Sequence, residues 1–185
     1  MTDDLALRYG RAVASIPVDR RAALDELDRC FAAGEPVERL HGDTEGRVLS
    51  TTLGYGIDRA CMGLASLWMP WRGKTFDADA NEGRNIFTTS FRVPLRLMWP
   101  GYRDERGSGP GRFTTFRFAT WKGPGKLDPG IEVLKIDYDG PDNPSFLIRD
   151  ILDEVVRIGD GLYLGQALLT WRGRFRRAAW FQLQA

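Results

Sequence analysis

The sequence predicts a mainly β protein of the α+β class, in which about eight antiparallel strands in meander order form a barrel behind N-terminal helices. A Trp followed by a basic residue and a Gly occurs three times, at Trp71, Trp121 and Trp171, at steps of 50 residues. A Trp that ends an apolar run and meets a Gly indicates a strand entering a turn. The 21 Gly and 10 Pro also predict many short elements. The three segments share little beyond the triplet, so we do not expect a true repeat.

The bulk composition is that of one ordinary globular domain. The chain has 185 residues, of which 43% are hydrophobic and 28% charged. A domain of this size can bury a sizeable core without disulfides. The net charge of +1 gives no overall field that would recruit nucleic acid, which we do not expect as a partner.

The N-terminal region is predicted to be helical. Residues 1–16 are indecisive, although Leu5, Tyr9 and Val13 could mark one helix face. Residues 18–33 carry apolar side chains at helical spacing, and Gly34 is a suitable stop. We expect residues 1–43 to form a helical segment that packs on a barrel domain of residues 44–185.

The middle of the chain alternates strands with an apolar helix. Residues 47–53 predict the first strand, and residues 57–68 a helix that is nearly all apolar and must be buried or act as a lid. Residues 71–76 and 85–91 predict further strands, residues 95–99 are an apolar stretch, and residues 103–111 are loop-like.

The second half contains the clearest strands. They are predicted at residues 112–122, 131–138, 154–158, 162–171 and 175–183, with a short helical turn near 145–151. An antiparallel sheet of this kind closes into a barrel or wraps around a helix.

Common cofactor and metal motifs are absent from the sequence. His41, Cys30 and Cys61 cannot complete a zinc site. The Gly54-x-Gly56-x-x-Arg59 stretch lacks the third glycine of a dinucleotide fingerprint. We therefore predict no cofactor and no metal. The acidic start Met1-Thr2-Asp3-Asp4 and an apolar run too short to cross a bilayer favour a cytoplasmic protein without a transmembrane segment.

Arginines alternate with aromatic residues near the C-terminus. This pattern favours the solvated outer face of a hairpin turn, but a weak phosphate or membrane-surface contact stays open. The residues concerned are Trp171, Arg172, Arg174, Phe175, Arg176 and Arg177.

The strand around residue 135 combines apolar and charged positions. Alternation places Leu134, Ile136 and Tyr138 on one face, and Lys135 and Asp137 on the other. A buried Lys135 paired with Asp137 would mark a functional pocket, whereas an exposed pair would be ordinary surface.

Large aromatic residues recur along the last strands. A closed meander would turn some of Tyr138, Tyr163, Trp171 and Trp180 inward, where they fill the interior or line a cavity. Nearby Gly165, Ala167 and Ala178 leave space, which favours a cavity.

This layout resembles the calycin group, which includes the lipocalins. The resemblance covers residues 44–185 and rests on roughly eight antiparallel strands ending in a hairpin with an aromatic last strand. Gly46-Arg47-Val48 has Val where lipocalins have Trp, and His41 precedes the barrel, so no haem role is carried over. The resemblance implies an apolar small-molecule ligand, and for a few members isomerisation or cyclisation of one.

Three functions follow as hypotheses. The first is binding of a hydrophobic small molecule by Trp68, Trp71, Lys135, Tyr138, Trp171 and Trp180. The second is a cofactor-independent cyclase or isomerase for a polyketide- or terpene-like substrate, with Asp137 or Tyr163 as acid–base group. The third is a homo-oligomer joined through the apolar segment 61–71.

Overall fold

A computed structural model describes residues 2–52 and 70–185. Its helices are α1 (Thr2–Ser15), α2 (Arg20–Ala32) and α3 (Arg92–Met98), the last preceded by a 3₁₀ turn at Thr89–Phe91. Its strands are β1 (Gly42–Thr51), β2 (Trp71–Asp77), β3 (Glu82–Thr88), β4 (Arg106–Gly107), β5 (Arg112–Pro124), β6 (Glu132–Asp137), β7 (Ile151–Gly159), β8 (Leu162–Trp171) and β9 (Arg174–Gln184).

Eight of the strands form a closed antiparallel barrel. The hydrogen-bonded order runs β3-β2-β1-β9-β8-β7-β6-β5-β4, and an additional β3–β5 pairing closes the circle. The two-residue β4 adds to the edge of β5 and is not part of the closed barrel. The predicted fold class, a meander barrel with N-terminal helices, is confirmed.

The antiparallel order places several connections at one end of the barrel, here called the upper end. Strands β1, β3, β6 and β8 finish there, so it carries segments 89–111 and 138–150 and the β8–β9 turn. Thr52 and Pro70 also lie at this end. The predicted helix at 57–68 falls outside the described residues.

Side-chain alternation separates two cores. Leu134, Ile136 and Tyr138, which were predicted to share one face of the strand, point into the barrel and join an inner cluster rich in phenylalanine. Val133 belongs instead to an outer cluster between the barrel and the helices. An eight-stranded barrel has an interior just wide enough for side chains or one small ligand.

The helices cover the outer face of β7–β9. Asp19 caps α2 by accepting a hydrogen bond from the backbone N–H of Ala22 at 3.1 Å, and Leu27 and Phe31 on this helix are buried. The Phe31 ring meets the Trp180 ring edge-on, with centroids 5.5 Å apart. This outer core holds α1 and α2 against the barrel.

The three Trp-basic-Gly triplets have three different structures. Trp171 ends β8, and Arg172 and Gly173 have φ of 51° and 74°, the backbone of a two-residue hairpin turn. Trp121 lies inside β5 near its end. Trp71 begins β2, in agreement with the strand predicted at residues 71–76, so this triplet opens a strand and does not end one. The pairing of β2 with β3 shifts register between Trp71 and Gly73.

Two segments between the strands take a form that the sequence described only loosely. Residues 95–99, predicted as an apolar stretch, belong largely to helix α3. Residues 145–150, within the predicted short helical turn, form consecutive turns. Both segments fold over the upper end of the barrel, where apolar contacts to the aromatic interior stabilise them.

Candidate functional site

The upper half of the barrel contains a cavity of about 90 Å³, counted as room for the centres of water molecules. On that measure one water needs about 10–15 Å³, so the cavity has room for several waters or a small ligand. Most of its wall is apolar. The lining residues are Val48, Trp71, Lys74, Asn85, Phe87, Phe91, Trp99, Phe116, Tyr138, Leu147, Ile148, Ile151, Asp153, Ala167 and Phe181.

Four buried polar side chains form one cluster in the cavity wall. The Lys74 ammonium donates to Asp153 Oδ2 at 2.8 Å and to Asn85 Oδ1 at 2.9 Å, and it also contacts the Tyr138 hydroxyl. The Tyr138 hydroxyl donates to Asp153 Oδ2 at 3.1 Å. We call these residues, Lys74, Asn85, Tyr138 and Asp153, the polar cluster.

Aromatic rings surround the Lys74 ammonium. Its Nζ lies 5.0–5.6 Å from the ring centroids of Tyr138, Phe118, Trp71 and Phe181. Ring faces attract cations at this distance. The rings and Asp153 together offset part of the cost of removing the Lys74 charge from water.

Burial shifts the pKa of two members of the polar cluster. Desolvation lowers the pKa of Lys74 despite the opposing attraction of Asp153. Desolvation, reinforced by the Asp153 charge, raises the pKa of Tyr138 well above its ordinary value. Asp153 therefore lies next to an ammonium that releases its proton more readily and a phenol that keeps its proton.

Among the described residues, the hydrogen bonds to Asp153 end on one of its two carboxylate oxygens. The Lys74 and Tyr138 hydrogen bonds both end on Oδ2. Within residues 2–52 and 70–185, no side chain or backbone group donates to Oδ1. Since Asp153 lines the cavity, this oxygen is suited to accept a hydrogen bond from a bound molecule.

Only some of the predicted site residues meet at the cavity. Trp71 and Tyr138 line it. Trp68 falls outside the described residues. Trp171 is 57% exposed on the β8–β9 hairpin, and Trp180 is buried on the outer face against the helices.

Tyr163 packs against the inner cluster, but it lies at the start of β8, opposite Leu183 and away from the upper end. Part of the space predicted near Gly165 is taken by the Phe181 ring, which a Cβ at residue 165 would strike. Ala167, two residues further on, faces the cavity.

The expected pairing of Lys135 with Asp137 is wrong. Lys135 is buried on the outer face of the barrel, where its ammonium donates to Glu154 at 2.7 Å. Glu154 also accepts from Gln166 at 2.9 Å. Asp137 is half-buried and caps the following turn by accepting from the backbone N–H of Asp139.

The polar cluster was not predicted, apart from Tyr138. Lys74 and Asp153 are separated by 79 residues, so no local spacing links them. A signal did exist in the adjacent acids Asp153 and Glu154, because alternation must turn one of them into the barrel. It could be recognised only once the strand limits were known.

Within residues 2–52 and 70–185, no group of three or more His, Cys, Asp or Glu residues is positioned to hold a metal ion. None of the helices in those ranges combines the length and the apolar composition that a membrane crossing needs.

Comparison with known proteins supports the fold but assigns no function. No family model and no curated protein matches the chain. A crystal structure of a protein from Thermomonospora curvata is similar, with a TM-score of 0.54 and 16% identity over 96% of this chain and 97% of that one. At this identity the similarity concerns the fold alone.

Proposed function

We propose that the barrel binds an apolar small molecule that carries one hydrogen-bond donor. The observation that carries this proposal is the pairing of an aromatic-walled cavity with one localised polar cluster. Ligand sites are typically concave and apolar, with a few placed polar groups that fix orientation. The resemblance to calycins adds support, since those barrels mostly hold an apolar molecule.

The ligand chemistry follows from the polar cluster. The three protons of the Lys74 ammonium have acceptors within the cluster, whereas Asp153 Oδ1 has no donor among the described residues. A hydroxyl or N–H on the ligand would therefore pair with Asp153. Phe87, Phe116 and Phe181 would contact its apolar body.

A cyclase or isomerase is the second candidate, and the same cluster favours it. A carboxylate beside a phenol and an ammonium can take up and return a proton. Because Asp137 and Tyr163 do not line the cavity, we assign the acid–base role to Asp153 in this alternative. Turnover of a polyketide- or terpene-like substrate that is lost in Asp153→Asn, while circular dichroism shows that the variant is folded, would support it.

The oligomer hypothesis rests on residues 61–71, of which the structure describes only Pro70 and Trp71. It stays a prediction, and light scattering of the purified protein tests it.

Binding of a matched pair of fluorescent probes tests the main proposal. Aminonaphthalene, which has an N–H donor, should bind more tightly than naphthalene, and Asp153→Asn should reduce that preference. Ala167→Leu should lower the affinity for both probes by about tenfold, since the larger side chain fills the cavity. Ala32→Leu, on the exposed face of α2, is the control and should bind as the wild type does.

Two results would contradict the proposal. One is wild-type protein that binds neither probe and carries no small molecule in native mass spectrometry. The other is a folded Ala167→Leu variant, checked by circular dichroism, that binds both probes unchanged.

A further inference from the structure

We propose that the upper end of the barrel docks on an anionic lipid bilayer, from which the cavity takes up or releases its apolar ligand. The second half of this statement rests on the proposed function. The docking itself rests on the surface alone.

Exposed apolar side chains concentrate at the upper end. Val93 and Leu97 lie one turn apart on α3 and are 66% and 78% exposed. Phe146 is 70% exposed and Trp171 57%. These four are half of the eight large hydrophobic side chains exposed in the described part of the chain. Such a concentration marks an interaction surface rather than scattered exposure.

The segments that carry these side chains are joined to one another. Trp99, at the end of α3, donates from its indole Nε1 to the backbone oxygen of Phe146 at 3.2 Å. Thr170, at the end of β8, donates its backbone N–H to the oxygen of Asp150 at 2.8 Å. These hydrogen bonds join the three segments that carry the exposed apolar side chains into one arc at the upper end.

The same arc is positively charged. Segments 89–112, 138–150 and 171–176 together contain nine arginines and five acidic residues. Their charge excess of four exceeds the net charge of +1 of the entire chain. Most of the arginines are exposed, including Arg103, Arg106, Arg174 and Arg176. This charge complements a bilayer that contains anionic lipids.

The combination favours a bilayer over other partners. Trp and aliphatic side chains beside arginines are typical of surfaces that insert shallowly into the lipid interface. The segments involved also reach the cavity, because Phe91, Trp99, Leu147 and Ile148 line it. The docking surface and the cavity therefore share the same end, as transfer of an apolar ligand from a membrane would require.

Sedimentation with lipid vesicles tests the proposal. The full chain should pellet with vesicles of phosphatidylcholine and phosphatidylserine in equal parts, and much less with phosphatidylcholine alone. Salt should weaken the binding by screening. The Leu97→Ser/Phe146→Ser and Arg174→Gln/Arg176→Gln variants should each bind about tenfold more weakly.

Matched controls come from exposed residues distant from the upper end. Leu7→Ser/Trp121→Ser removes two exposed apolar side chains, and Arg11→Gln/Arg39→Gln removes two exposed charges. Both should bind vesicles as the wild type does. The same variants are assayed for aminonaphthalene binding without vesicles. This assay distinguishes a loss of vesicle binding from a loss of ligand binding in the cavity.

Three outcomes would overturn the proposal. The first is that the protein does not sediment with anionic vesicles. The second is an equal loss of vesicle binding in the control and upper-end variants. The third is a dimer, seen by light scattering, that dissociates in Leu97→Ser/Phe146→Ser. The last result would assign this surface to a second copy of the chain.

Discussion

The ammonium of Lys74 and the carboxylate of Asp153 lie 2.8 Å apart inside the barrel, although the two residues are 79 positions apart in the sequence. Their side chains are 2% and 7% exposed. They come from β2 and β7, which are not adjacent strands. The pair therefore spans the interior, and it exists only because the sheet closes.

Removing one partner of this pair should destabilise the fold strongly. Asp153→Asn leaves the Lys74 charge buried without its counter-charge, and we expect the free energy of unfolding to fall by about 3–5 kcal/mol. The double variant Lys74→Met/Asp153→Leu removes both charges and keeps a similar side-chain volume. It should therefore lower the free energy of unfolding much less. Urea denaturation of the wild type, Lys74→Met, Asp153→Leu and the double variant measures the coupling. Additive losses would mean that the two charges do not stabilise each other.

Stability should rise with pH in the alkaline range because of Lys74. Burial lowers its pKa in the folded protein from the usual 10.5. Between the lowered pKa and 10.5 the unfolded chain binds more protons than the folded one, so the free energy of unfolding increases with pH. Below the lowered pKa this contribution does not change.

Tyr138 opposes this trend, because its raised pKa keeps the phenol protonated in the folded protein while the unfolded chain ionises above 10.0. The measurement therefore uses Tyr138→Phe as background. Urea denaturation across alkaline pH should show a rising stability in Tyr138→Phe that is missing in Lys74→Met/Tyr138→Phe. Identical pH profiles for the two proteins would contradict the prediction.

Glu154 should stabilise the outer face far more than a surface acid does. It is fully buried and accepts from the Lys135 ammonium, from Gln166 and from the backbone N–H of Lys126. Glu154→Ala leaves Lys135 buried without its counter-charge and should cost about 3–5 kcal/mol in the free energy of unfolding. Glu35→Ala breaks the exposed ion pair with Arg157 and should change stability little. Equal losses of stability in the two variants would contradict the expectation that a buried ion pair contributes more than an exposed one.

Gly73 should tolerate no side chain. Its φ is 137°, and a Cβ there would collide with the backbone oxygen of Thr44 on β1. Gly73→Ala should lower the free energy of unfolding by about 3 kcal/mol or more. Gly10→Ala is the matched control: space is open around Gly10 within α1, and the change should stabilise the helix by about 0.5–1 kcal/mol. Thermal unfolding of both variants distinguishes the two effects.

The sequence by itself determined the elements that depend on local chemistry. Alternation in residues 131–138 predicted which side chains of β6 share a face, and the helical spacing of apolar side chains in residues 18–33 predicted α2. The Trp171-Arg172-Gly173 triplet predicted a hairpin, since residues with positive φ must follow the strand. Each of these features is set by periodicity or by turn geometry over a few neighbouring residues.

Only the tertiary structure decided which polar residues meet. Lys135 and Asp137 are neighbours in sequence, yet Lys135 pairs with Glu154 from the adjacent strand. Lys74 and Asp153 are remote in sequence, yet they pair across the barrel. The physical reason is that the register between strands and the closure of the sheet fix these distances, and both depend on all eight strands at once.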